Sequence, residues 1–468
     1  MWKRLIASRA FYLIALVVMV SVFLISQFRI EEADPRPLGT PDDIARLAER
    51  DDLNIVFILI DTLRADRLGA YAYERETSPV LDALAADGLR FGHHMSQSSW
   101  TKCSMASMWT AHYPVRTGVT RSEDAISSEA NMPAEILQEA GYKTYALWRN
   151  AWVGPSFGFS QGFEVYHSPR PSRVPASVRR EKPTIGMAGT DRDIIQSASD
   201  FLRTHGNQKF FLYLHLMDVH QYVYDEDTAL FGTTYSDIYD NSIRWVDRLL
   251  GVLIEDLNRR GLREKTLIVV ASDHGEAFGE HGREGHARDV YSEVVTTPLI
   301  LSFPFRLPGP LVVDEPSENV DIWPTLLDLL GVPAIEGADG RSLRAEIEAA
   351  ATGGEAAGDS EPRFAHIDQS WGRKKVEPQP MVAVTEGPYR LVFRSAGRGP
   401  RRAELYEYAS DRRESRRIDQ DQPDVRRRML ELARTYLEEA PASWGDGPEI
   451  ELNDAQLQQL RALGYEIE

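Results

Sequence analysis

The sequence predicts an α/β protein: a large, mostly parallel sheet with helices on both faces, followed by a small C-terminal antiparallel α+β subdomain. Three observations predict it. Apolar runs of strand length, NIVFILI at 54–60 and TLIVVA at 266–271 among them, suit parallel strands buried on both faces. Segments with a helical apolar period alternate with these runs through the first 350 residues. Beyond a Gly/Ala/acidic break, TGGEAAGDSE at 352–361, short strand patterns at 381–385, 389–394 and 404–408 suggest a smaller antiparallel unit.

Composition bounds the function. With 468 residues, 43% of them hydrophobic and 26% charged, the chain can bury a large core. A formal net charge of −18 argues against a general nucleic-acid binder, although a local basic patch can still accept an anion. A lone cysteine, Cys103, excludes an internal disulfide framework. Nothing in the pattern specifies an oligomeric state.

The elements follow in order. Lys3, Arg4 and Arg9 precede an uncharged run at 10–28; nineteen residues at about 1.5 Å each span roughly 28 Å, the thickness of a hydrocarbon core. Basic residues before it and Glu31, Glu32 and Asp34 after it predict a single-pass transmembrane helix with a cytoplasmic N-terminus, which places the rest on the periplasmic or extracellular side. The predicted organisation is therefore an anchor at 1–30, a Pro-containing linker and a short helix at 31–50, a main domain at 51–350, a loop at 351–362 and a C-terminal subdomain at 363–468. Within the main domain, helices are predicted at 79–87, 133–140, 191–204 and 241–260. Strands are predicted at 54–61, 143–148, 209–218, 266–273 and 298–303. Residues 167–182, rich in Pro and Arg, read as a surface loop. A charged helix at 423–439 and a short one at 454–464 close the chain.

In open α/β sheets ligands collect beyond the carboxyl ends of strands. Three strands here end in candidate ligands: Asp61, Asp218 with His220, and Asp273 with His274. Such carboxylate–imidazole sets suit a divalent metal ion, whether Ca, Mn, Zn or Mg. Five of the eleven histidines, His215, His220, His274, His281 and His286, fall close together in sequence. Each has an ordinary structural reading when taken alone, and their joint placement points to a metal site. His215, between Leu214 and Leu216, reads as a packed, hydrogen-bonded side chain.

The segments VFILIDTLRADRLGAY, TSPVLDALAADGLRF, FLYLHLMDVH, VVASDHGEAFGEHG, VVTTPLILSFP and NVDIWPTLLDLLGVP resemble the sulfatase branch of the alkaline phosphatase superfamily. The resemblance implies that fold and a metal held by Asp61, Asp273, His274 and the nucleophile. It also implies that His220 contacts the substrate anion and His286 is a second contact, with weaker carry-overs at His281 and Asp218. Family members often carry two adjacent acidic residues after the first strand; here Thr62 follows Asp61, so one ligand is missing or replaced, as by water.

The nucleophile is read from SSWTKCSMASMWTAHYP at 98–114. Sulfatases use a formylglycine made from cysteine or serine in Cys-x-Pro/Ala-x-Arg, nine residues before a Thr-Gly-x-Tyr-Pro-like end. That end is Thr110-Ala111-His112-Tyr113-Pro114, and nine residues back stands Thr101, not Cys103. The cysteine then reads as a small buried side chain, and formylglycine is not expected. A threonine there is similar to the phosphate-processing relatives. Its hydroxyl becomes a competent nucleophile when a metal withdraws charge from it. Lys102 and His220 are expected to share the charge on the ester's oxygens.

The expected function is a membrane-anchored metallohydrolase cleaving phosphate or sulfate esters through a covalent Thr101 intermediate, with envelope lipids or glycans among the expected carriers. The alternatives are a true sulfatase and a transferase of phosphate-linked head groups onto envelope lipids or polymers. A degenerate binding protein is disfavoured by the intact set Asp61, Thr101, Asp273 and His274.

Overall fold

A computed structural model of the chain describes residues 9–27, 34–170, 189–354, 361–395, 402–445, 447–462 and 467. It contains two compact units, Met1–Pro35 and Arg36–Glu468. In the first, Arg9–Gln27 is a helix of 19 residues, where the transmembrane segment was expected. Only residues 11–20 of it have described side chains, and among the described residues no helix is long and apolar enough to cross a membrane. The expected span therefore rests on sequence alone.

Among its described residues the second unit contains sixteen strands: β1 (Asn54–Ile60), β2 (Leu89–Phe91), β3 (His94–Met95), β4 (Lys143–Leu147), β5 (Val165–His167), β6 (Phe210–Leu216), β7 (Thr266–Ala271), β8 (Ala277–Phe278), β9 (Glu284–Gly285), β10 (Leu299–Ser302), β11 (Leu311–Val313), β12 (Ser317–Glu318), β13 (Arg363–Asp368), β14 (Pro380–Glu386), β15 (Tyr389–Arg394) and β16 (Arg402–Tyr406). Eight of them form the main sheet in the order β11-β2-β10-β7-β1-β6-β4-β5. The centre is parallel, β7-β1-β6-β4, and β10 runs antiparallel to both of its neighbours. Every residue of β1, β6 and β7 is buried, as the uninterrupted apolar runs predict.

Alternate side chains of β1 feed two cores. Val56, Ile58 and Ile60 pack with Ile194, Ile243, Leu250 and Leu253 from the helices Asp191–His205 and Tyr235–Arg259. Ile55, Phe57 and Leu59 face Met105, Trp109 and Trp323 from Thr101–Thr110 and Ile322–Leu329. There Phe57 stacks on Trp323 at 5.2 Å and Trp109 stacks on it at 5.1 Å. Each such fully buried side chain contributes about 1.5–3 kcal/mol of transfer free energy, so the sheet is held rigidly from both faces.

Three boundaries differ from the sequence reading. The helix expected from 241 begins at Tyr235, because Thr234 accepts from the Asp237 amide and Asp237 reaches back to Thr234, a reciprocal cap. The segment expected to be a linker and a short helix up to residue 50 does hold a short helix, Pro41–Ala45, but it packs from Arg36 onward: the Arg36 guanidinium bonds Ser302 and Asp87, and Ile44 and Leu47 are buried. β13 was not expected at all, since RFAHID mixes polar and apolar residues; it is nonetheless buried throughout and pairs with β14 in the four-stranded antiparallel sheet β13-β14-β15-β16. The helix Pro423–Leu437 covers that sheet through Met429, Ala433 and Tyr436. The predicted loop at 167–182 lies outside the described residues from 171 onward.

Candidate active site

The parallel strands β1, β6 and β7 end side by side, and the residues after them converge. Asp61 follows β1, and Asp273 and His274 follow β7. One ligand atom from each of Asp61, Asp273 and His274 lies within 4.8 Å of the others, and all three side chains are buried. The helix Thr101–Thr110 points its first residue at them: Thr101 Oγ1 is 3.2 Å from His274 Nε2. Ser104, one turn on, donates to the Asp273 carbonyl at 2.6 Å and ties this helix to the loop.

The orientation of each carboxylate is fixed by one oxygen. Asp61 Oδ2 accepts from Asn150 Nδ2 at 2.7 Å and faces His215 Nε2 at 3.1 Å. Asp273 Oδ1 accepts from the Thr62 amide at 3.2 Å and from the His274 amide at 3.0 Å. The other oxygens, Asp61 Oδ1 and Asp273 Oδ2, are buried without a hydrogen-bond partner. Two buried carboxylates with open oxygens a few ångströms apart repel. Burial first, and then the charge of Asp61, push the Asp273 carboxyl up to about 6. Asp61 goes the other way: burial opposes its charge, but His220, His215 and His274 together hold its carboxyl low. Open, buried oxyanions beside an imidazole nitrogen are the donors a divalent cation takes, so the residues fit a metal ion.

Thr62 itself is no ligand. It sits at φ +63°, a left-handed conformation rare for a β-branched residue, with its hydroxyl turned onto the Asp61 carbonyl. Tyr239 holds the strained residue by donating to its carbonyl at 2.6 Å.

Two further predicted residues join the cluster. The ring of His286 lies 4.6 Å from that of His274 and 4.9 Å from that of His220. Burial works against a charge on His286, yet Glu276, whose carboxylate stands 3.2 Å away, raises its pKa above the ordinary value. His220 is shifted the opposite way, lowered chiefly by burial.

Three predicted residues are spent elsewhere. The Lys102 ammonium donates to the carbonyls of Ser122 and Asp124 beneath Phe157, and burial pushes it down to about 7. Asp218 accepts from Arg149 at 2.7 Å and from the Trp245 indole at 2.8 Å in a buried network with Asp191. His281 pairs with Glu293 at 2.9 Å and reaches the Glu414 carbonyl. All three lock the frame of the site. Cys103 also faces away: its thiol approaches the His366 carbonyl at 4.0 Å, and burial pushes it up to about 12.

Asn150 and Glu276 were missed. Asn150 bonds Asp61 and stands 3.4 Å from Thr101 Oγ1. It lies three residues past β4, so the rule that found Asp61 and Asp273 would have found it had neutral amides been counted. Glu276 lies inside the DHGE motif and accepts from Tyr222 at 2.8 Å.

Comparison with known proteins gives the family of the chain. The sulfatase family model matches residues 53–332, more than half of the chain, and the chain belongs to the sulfatase family. It is an ester hydrolase of the sulfatase/alkaline phosphatase superfamily, and sulfatases of this family bind a divalent metal. Among curated relatives it is similar to an ulvan-active sulfatase of Formosa agariphila, 24% identical over 349 residues covering 65% of this chain and 68% of that one. It is also similar to human arylsulfatase A, 26% identical over 330 residues covering 60% of this chain and 64% of that one. The chain thus spans about two thirds of the length of these relatives. In solved structures the fold recurs in a phosphonate monoester hydrolase of Agrobacterium radiobacter, with TM-score 0.63 and 20% identity over 82% of this chain and 95% of that one. It recurs again in a structure in complex with its substrate D-glucosamine-2-N,6-O-disulfate, with TM-score 0.64 and 17% identity over 82% and 98%. At such identities the likeness is one of fold.

Proposed function

We propose that this protein hydrolyses phosphate esters by nucleophilic attack of Thr101, from a membrane tether formed by its N-terminal helix. The observation that carries the reading is the position of Thr101 Oγ1, 3.2 Å from His274 Nε2 and 3.4 Å from Asn150 Nδ2 at a helix N-terminus, while Cys103 faces away. The residues that would hold a divalent cation are Asp61, Asp273, His274 and Thr101; bound there, it lowers the pKa of the threonine hydroxyl and offsets charge on the ester.

The chain's own groups supply the rest. A bond forms between Thr101 Oγ1 and phosphorus as the bond to the ester oxygen breaks. Thr101 gives up its proton, the departing alcohol takes one up, and water then cleaves the phosphothreonine. Amides of the first turn of the helix Thr101–Thr110 favour the anionic group. His286, whose protonated form Glu276 favours, and His220 beside it donate to the equatorial oxygens.

A sulfate ester is the second reading, favoured by the sulfatases among the relatives. Chromogenic phosphate mono- and diesters and a sulfate ester separate the two. Thr101→Ala is expected to lower kcat on the preferred ester by on the order of 10³-fold or more, while Cys103→Ala keeps turnover. The reverse pattern, or an aldehyde at Cys103 in peptide mass spectrometry, would sink the threonine assignment. The tether is read from the uncharged run at 10–28. Full-length protein is expected to sediment with membranes through carbonate washing, and protein lacking 1–30 to stay in the supernatant; sedimentation of both would refute the anchor.

A further inference from the structure

A cavity of about 800 Å³ opens between residues 64–73, β3 and the turn at 408–413 of the C-terminal unit. None of Asp61, Thr101, Asn150, His220, Asp273, His274 and His286 lines it. Five arginines reach its wall, Arg64, Arg67, Arg363, Arg412 and Arg413, against three carboxylates, Asp66, Glu280 and Glu293. Those carboxylates are already engaged. Asp66 and Glu280 both pair with Arg64, at 2.7 and 2.9 Å, and Glu293 pairs with His281. Arg67 pairs with Asp240, outside the wall.

Arg412 is different. Among the described residues it makes no ion pair; its guanidinium lies over the Tyr408 ring at 4.5 Å, and Nη2 stands 3.5 Å from His93 Nε2. The contact with Tyr408 restrains the guanidinium at the cavity wall, and its planar fork of N–H donors suits an oxyanion. Arg413 adds a second charge next to it, whose field already reaches Asp66. In a chain of net charge −18, a wall with surplus arginine is a local inversion of sign. The volume lies in the range of sites that enclose a small organic molecule, well beyond a lone tetrahedral ion.

We propose that this cavity is a second anion site, binding a sulfate or phosphate group, free or borne on a saccharide, between Arg412, Arg413 and His93. It works independently of attack by Thr101. The test is calorimetric titration of the full-length protein with sodium sulfate, sodium phosphate and a sulfated disaccharide. Binding is expected in Thr101→Ala and His220→Ala, and is expected to weaken about ten-fold or more in Arg412→Gln/Arg413→Gln, whose kcat on a small chromogenic ester stays unchanged. Tighter binding of the disaccharide than of free sulfate would assign the sugar-borne group, and equal binding the free ion. The His93 imidazole signals are expected to shift in the NMR spectrum of the unmutated protein on adding the same probes. No shift at His93, or affinity unchanged in the double variant and lost in His220→Ala, would overturn the proposal.

Discussion

At the scale of single residues, the candidate site is decided by which polar atom each neighbour leaves open. Asn150 and His215 occupy Asp61 Oδ2 and so turn Oδ1 toward His274. His215 in turn is oriented by Tyr213, whose hydroxyl lies 2.7 Å from its Nδ1. Partners of this kind set ligand direction, and their loss typically costs about 10–100-fold in metal affinity or activity. Asn150→Ala is therefore expected to lower the affinity for Mn or Zn by about that factor, measured by competition with a chromogenic chelator. Unchanged affinity would mean that Asp61 holds its orientation without the amide. The reading of His215 as a packed, hydrogen-bonded histidine is half of what the geometry shows: it is packed, and it also positions Asp61.

At the scale of elements, the site depends on strand ends being brought together without freedom to shift. β7 passes into the Asp273-His274-Gly275 turn, and the Gly275 amide donates to the Val294 carbonyl at 2.9 Å. A Cβ on Gly275 would stand 2.3 Å from the Glu293 carbonyl oxygen, which is main chain in the short helix Ser292–Val295 and cannot swing aside. Gly275→Ala must push the turn away from that helix and carry Asp273 and His274 with it. Overpacking of this kind costs about 1–3 kcal/mol. The expected outcome is a lower denaturation midpoint together with a kcat loss larger than that of a surface variant; wild-type kcat would show that the turn tolerates displacement.

At the scale of the whole described body, the small antiparallel sheet is joined to the loop that carries the histidines. Glu414 is buried, accepts from the amide and hydroxyl of Ser292, and lies 2.7 Å from Arg390 Nε, an ion pair whose angle is too bent for a hydrogen bond. His281 stacks on Tyr291 and bridges Glu293 to the Glu414 carbonyl. Partial burial works against a charge on His281, but the Glu293 carboxylate raises its pKa from the ordinary 6.5 to about 9. A raised folded-state pKa gives stability that is complete below pH 6.5 and lost as pH climbs through about 9. His281→Gln is accordingly expected to lower Tm most near pH 6 and to match the wild type above about pH 9.5. A constant difference in Tm across that range would show that the ion pair contributes nothing that titrates.

The sequence by itself determined the layered α/β architecture, because uninterrupted apolar runs leave strands no exposed face and so require helices on both sides. It also determined that Asp61, Asp273 and His274 fall at strand ends, and its spacing pointed to Thr101 rather than Cys103 as the nucleophile; that Thr101 opens a helix is a finding of the structure. Only the tertiary structure decided which of the remaining candidates share that space. Lys102, one residue from Thr101, leaves on another side of the helix and ends on the Ser122 and Asp124 carbonyls. Asn150, far away in sequence, arrives because β4 lies beside β6, two strands from β1. Side-chain direction on a helix and adjacency in a sheet are set by packing between distant segments. The order of residues along the chain states what each can do, and the fold selects the partners it does it with.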